Sequence, residues 1–361
     1  MANTFRYVTP VTPEAATGRI AGVYGQAATD FGLARMPVLM TLSPAPDLLA
    51  ATWALLRESL VAGPASRTGR EVVALGVSVA NRCPYCVAAH TTLLHATGDH
   101  RLAEVIARGG TPADPGHAAL LDWATATRTP GAARPSAAAF PPEHTAEYAG
   151  TALTFHFINR MASALLADSM LPGNLHRSRL VRSLGGRVLA RTVRRRLPAG
   201  ESLPLLAERP ALPEPAWAAG TPVGTAFAAL RTAAGAGGAL LGERARATVL
   251  ETVGGWDGEH PAMGGGWLDG PLAGLPGADL PGARLALLAA LAPYRVTDAD
   301  VAAWRAGHPD DADLVRLLAY GAITAVEGVE TSIRRGLPAP SGTGSRPVSP
   351  PVSRRASPPS P

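Results

Sequence analysis

The sequence predicts an all-α protein of packed helices, on three observations. Hydrophobic residues make up 47% of the 361 residues but aromatics only 5%. Alanine-rich, aromatic-poor composition suits close-packed helices better than a β-sandwich. Residues 47–61 read as an amphipathic helix, with Leu48, Leu49, Leu55, Leu56 and Leu60 on one stripe and Arg57 and Glu58 turned outward. Gly and Pro breaks then cut the chain into segments of helical length. A chain this long is ample for a sizeable core and suggests two domains.

Residues 1–13 form an extended lead-in, broken by Pro10 and Pro13. Thr12-Pro13-Glu14 reads as a helix start, after which Ile20, Val23 and Tyr24 share a face. Gly63-Pro64 ends the 47–61 helix. The next helix opens near residues 66–71 and runs to Asn81. Thr68-x-x-Glu71 has the capping-box pattern, which gives Glu71 a purely local reading at the Thr68 backbone. After a break at Asn81-Arg82, Pro84 starts a helix that Gly98 stops.

Residues 99–108 and 117–127 read as short helices, 129–142 as a Pro- and Ala-rich loop, and 143–171 as a long helix. His156, Asn159 and Arg160 share one side of that long helix. They either anchor helix packing or line the thiol pocket or an interface. Residues 176–196 are strongly basic with one apolar side, which reads as a solvated connecting helix or one that pairs with acidic groups of a partner subunit. Residues 197–221 are Pro-rich linker.

The second half reads as a degenerate repeat of the first. Matching Glu243 to Glu71 places Gly255 and Gly258 where Cys83 and Cys86 stand and Ala262 at His90; Arg295 is matched separately to Arg128 in the segment that follows. Thr297-x-x-Asp300 is a capping-type helix start. The domain reading is therefore 1–172, a basic helix and linker over 173–221, a cysteine-free helical repeat over 222–335, and a disordered Pro/Ser/Arg tail over 336–361.

Residues 71–90, EVVALGVSVANRCPYCVAAH, hold both cysteines of the protein. With Pro84 at the first helical position, Cys83, Cys86 and His90 fall at i, i+3 and i+7 on one face. A thiol at a helix N-terminus is drawn toward thiolate by the dipole, and a nearby imidazolium reinforces this. Those residue types at that spacing suit redox chemistry at sulfur.

Glu71, Cys83, Cys86 and His90 fit E-x11-C-x-x-C-x3-H. That pattern resembles the core signature of the alkylhydroperoxidase D and carboxymuconolactone decarboxylase superfamily, in its peroxidase-like branch. The flanking text and TFHFINRM at 154–161 are similar to that family as well. The resemblance covers roughly residues 5–170, is fainter over 220–335 and is absent from the tail. It implies an alkylhydroperoxidase D-like helical bundle, arranged as a tandem pair in which only the first member carries the thiols. It assigns Glu71 to the motif rather than to a cap. It also implies a disulfide re-reduced by a partner thiol protein or dithiol, homo-oligomers, and no metal or organic cofactor.

The expected function is thiol peroxidase. Cys86 is the expected peroxidatic thiol, because His90 one turn on can take its proton. Glu71 orients His90, and Cys83 resolves the sulfenic acid. Tyr85 lies between the cysteines, where it can donate to the peroxide, and His156 is a second candidate for the substrate pocket. A lactone decarboxylase of the same superfamily is the alternative, though it does not depend on the thiol pair. A zinc site on Cys83, Cys86 and His90 would have three ligands on one helix face, a poor tetrahedral set. A helical interaction module would use the basic segment, but that segment lacks interleaved aromatics, so no nucleic acid is expected. Two cysteines in one motif leave none for a structural disulfide framework. With no apolar leader and no membrane-length apolar run, the expected location is the cytoplasm, with no membrane partner.

Overall fold

The structure is a computed structural model that describes residues 4–129, 139–167, 179–206 and 212–337. Among the described residues the regular elements are helical, apart from one antiparallel bridge between Phe5 and Leu166. The basic-segment arginines before 179 and the tail from 338 lie outside them.

The first half contains α1 (Gly18–Asp30), α2 (Pro37–Met40), α3 (Pro46–Leu56), α4 (Arg67–Ala80), α5 (Pro84–Thr97), α6 (His100–Ala107), α7 (Pro115–Ala126) and α8 (Thr145–Leu165). Then come α9 (Arg179–Val193), α10 (Pro222–Gly235), α11 (Glu243–Gly254), α12 (Asp269–Leu272), α13 (Leu280–Leu291), α14 (Asp298–Arg305) and α15 (Asp311–Gly336). Helix α4 packs on α5, α7 and α8, while α3 packs on α10, and α8 and α13 both pack on α15. One hydrophobic cluster therefore runs through both halves.

Local chemistry sets the helix ends near the site. The Ser66 side chain caps α4 by accepting from the Gly69 amide at 3.2 Å. That makes Ser66, not Thr68, the N-cap and frees Glu71 from a capping role. Arg82 takes the left-handed conformation, φ +53°, in the turn between α4 and α5. Pro84 then opens α5, and Gly98 closes it at φ +108°, where a side chain would be strained. Thr297 and Asp300 form the expected capping box of α14.

Several expectations are corrected. Helix α1 starts at Gly18 rather than near Thr12, and residues 13–15 form a turn. Arg57 and Glu58 do not point outward; both are fully buried. The chain leaves α3 through a π-type turn in which the Ala62 amide donates to the Arg57 carbonyl at 2.8 Å. Helix α3 is buried on every side from Leu48 to Leu56, so Arg57 at its end has no solvent side to turn to. Arg57 reaches Asp30 at 2.6 Å, Glu58 at 2.9 Å and Glu201. Glu58 in turn accepts from the Gly200 amide at 2.6 Å and the Ser202 hydroxyl at 2.6 Å. This buried knot pins the supposed linker to α3.

The basic helix is not a free connector either. Helix α9 lies along α5, close enough that a Cβ at Gly186 would stand 2.8 Å from the His95 Cβ. In the second half, α15 lies against α8. Residues 255–265 form no helix after α11, and Glu243 is exposed at the first position of α11, whereas Glu71 is buried inside α4.

Candidate active site

The packed pair α4 and α5 brings Glu71 to the cysteine helix. Glu71 Oε2 lies 2.7 Å from His90 Nδ1, and both side chains are buried. The second carboxylate oxygen accepts from Arg67 Nε at 3.0 Å and Nη2 at 2.8 Å. Burial raises the Glu71 carboxyl, but the Arg67 charge and the His90 hydrogen bond outweigh it and hold the group below its ordinary 4.5. Glu71 is therefore a carboxylate, and His90 Nδ1 carries the proton toward it, leaving Nε2 for chemistry. Phe155 meets the His90 ring edge-on, centroids 4.3 Å apart, and fixes its plane.

Both thiols are buried and outside any disulfide, Cys83 1% and Cys86 2% exposed. Burial pushes the Cys86 thiol well above its ordinary 9.0, and its hydrogen bond with Cys83 adds to this, while a hydrogen bond from Asn159 works against it. The helix dipole expected to favour thiolate is outweighed by desolvation. Burial also raises the Tyr85 phenol, so it remains an O–H donor.

A cavity of about 310 Å³ opens onto one face of α5. Cys86, Ala89, His90 and Leu93 form its floor; Phe155, Ile158 and Leu189 form one wall; and residues 31–38 form the opposite rim. Tyr85 lines it, Cys83 does not, and Arg35 is the charged side chain at its edge. The spacing i, i+3, i+4, i+7 from Cys86 puts the thiol and the imidazole into the same space.

His156 does not line this cavity. It is fully buried, with Nε2 2.9 Å from the Thr127 hydroxyl and Nδ1 3.2 Å from Asn81 Nδ2. Burial, with Arg160 and Arg128 nearby, holds it far below its ordinary value, so it is neutral. Asn159, one turn on, donates Nδ2 to Ser78 Oγ at 3.1 Å and accepts from Asn81 at 3.0 Å. The polar side of α8 thus supports the cysteine turn from behind.

Sequence reasoning missed Arg67 as a neighbour of the site, although Arg67-x-x-x-Glu71 was visible as an i, i+4 pair. It left the side of α8 with His156, Asn159 and Arg160 open between packing and the thiol pocket; Asn159 hydrogen-bonds Cys86, while His156 does not line the cavity.

The profile of the carboxymuconolactone decarboxylase family matches residues 46–126, the segment that carries the whole Glu71–His90 constellation. An alkyl hydroperoxide reductase of Mycobacterium tuberculosis is 43% identical over 335 residues, which is 91% of this chain and 94% of that protein.

Proposed function

This chain belongs to the carboxymuconolactone decarboxylase and alkylhydroperoxidase D superfamily, and from that premise we propose that it is a thiol peroxidase acting on organic hydroperoxides. The observation that carries the proposal is the shared cavity. It presents a thiol and an imidazole to one apolar space, and the imidazole is anchored to a carboxylate. An apolar lining favours an alkyl or aryl hydroperoxide over hydrogen peroxide, which gains nothing from that lining.

In the proposed cycle the resting Cys86 is a neutral thiol. His90 Nε2 takes its proton as the sulfur attacks the terminal peroxide oxygen, and the Glu71 carboxylate stabilises the imidazolium. The S–O bond forms, the O–O bond breaks, and the leaving alkoxide recovers the proton from His90 as an alcohol. Tyr85 steadies the peroxide as a donor. Cys83 then attacks the Cys86 sulfenic acid; an S–S bond forms and water leaves. Two electrons have passed from the thiol pair to the peroxide, and an external dithiol or thiol protein returns them by exchange.

The alkyl hydroperoxide reductase name of the relative supports this reading. The second half, without thiols, supplies packing surface to α3 and α8. Turnover of cumene hydroperoxide by the full chain with dithiothreitol tests the proposal. Turnover is expected in the wild type and lost in Cys86→Ser; equal rates in both proteins would overturn it.

A further inference from the structure

Two arginines are buried where the first half meets the second. Arg128 follows α7 and Arg160 lies on α8; they are 7% and 3% exposed. Arg128 donates Nη1 to Asn81 Oδ1 at 2.8 Å, and its Nη2 lies 3.2 Å from His260 Nδ1. Arg160 donates Nε to the Ala290 carbonyl and Nη1 to the His156 carbonyl, each at 2.7 Å. Among the described residues neither guanidinium forms an ion pair. The carboxylate that acts on Arg128, Glu259, does so from beyond contact, and the charged neighbour of Arg160 is Arg128 itself.

Such an arrangement is costly, because buried charges are ordinarily paired. Burial, with the like charge of Arg128 beside it, lowers Arg160 to about 9; burial also lowers Arg128, to about 10. His260 gives no relief as a base, since burial and Arg128 hold it at about 4. Its Nε2 donates to the Ala80 carbonyl at 3.1 Å, so Nδ1 is the acceptor facing Arg128. The Trp256 ring covers both guanidiniums, 5.1 Å from Arg128 and 5.6 Å from Arg160.

A small cavity of about 10 Å³ opens between these groups; Asn81, Arg128, Asn159, Arg160, His260 and Tyr294 give its polar lining, and residues 290, 291 and 293 its apolar lining. That is room for a single small occupant. Two cationic forks around one such space match an anion and not a cation.

We propose that this cavity binds one small inorganic anion of halide size, held by Arg128 and Arg160 at the junction of the two halves. The anion supplies the missing counter-charge and ties α8 to the 256–295 segment. It sits one side chain from the thiol, because Asn159 both lines the cavity and hydrogen-bonds Cys86. The site is independent of the peroxidase reading and is tested without turnover.

Trp256 is the reporter. The full chain, in gluconate buffer at constant ionic strength, is titrated with sodium iodide while tryptophan fluorescence is read. The expected result is saturable quenching that chloride competes away and that Trp256→Phe abolishes. Arg128→Gln should weaken it by about ten-fold or more, the loss of one charge-assisted hydrogen bond. Quenching that stays linear in iodide in the wild type overturns the proposal. So does saturation that survives unchanged in an Arg128→Gln protein with wild-type circular dichroism. If Arg128→Gln does not fold, the wild-type curve, its chloride competition and Trp256→Phe decide alone.

Discussion

Glu71 Oε2 and His90 Nδ1 stand 2.7 Å apart across the α4–α5 contact, with Arg67 closing the far side of the carboxylate. The pair fixes which imidazole nitrogen faces the cavity. Glu71→Gln keeps the shape but removes the charge that stabilises an imidazolium. Its kcat with cumene hydroperoxide should fall by about 10²-fold or more, with KM nearly unchanged. An unaltered kcat would assign Glu71 to packing alone.

Burial sets the resting state of the nucleophile. Because the Cys86 thiol is pushed well above 9.0, little thiolate is present at neutral pH. Alkylation by iodoacetamide, followed by mass spectrometry, should be slow at pH 7 and accelerate only as the pH passes 9. A fast reaction with a midpoint near pH 6 would mean that the dipole and His90 outweigh desolvation.

The Arg57 knot carries stability rather than chemistry. Arg57→Ala leaves the Asp30 and Glu58 carboxylates buried without their cation. Urea melts should show a loss of about 3–5 kcal/mol. A loss under about 1 kcal/mol, the range of surface pairs, would show that water replaces the guanidinium.

On the proposed function, the cavity floor sets the substrate. Ala89 lies on α5 between Cys86 and Leu93 and faces the apolar space. Ala89→Phe fills that space and replaces neither the thiol nor the imidazole. Its kcat/KM for cumene hydroperoxide should drop by about ten-fold or more relative to its kcat/KM for hydrogen peroxide. Parallel losses for both peroxides would place substrate binding elsewhere.

The helical class, the α5 boundaries and the thiol constellation were legible in the sequence because each rests on local chemistry. Pro84 opens a helix, Gly98 closes it, and the cysteine and histidine spacing shares one face. Contacts made at long range were not legible. The burial of Arg57 depends on α3 being covered on every side and on partners from α1 and the 198–201 segment. His156 shares a helix side with Asn159 and Arg160, but the fold turns that side toward Asn81, Thr127 and the second half rather than toward the cavity. The Arg128–Arg160 pair unites the turn after α7 and helix α8 against Ala290 and His260. No periodicity within one segment encodes such a meeting.

The central claim is that Cys86 meets the oxidant and Cys83 resolves it. The direct measurement is peptide mass spectrometry of the full chain after one equivalent of cumene hydroperoxide, with dimedone present. The wild type should give a Cys83–Cys86 disulfide, and Cys83→Ser should give a dimedone adduct on Cys86. A dimedone adduct on Cys83 in Cys86→Ser, with none on Cys86 in Cys83→Ser, would contradict it.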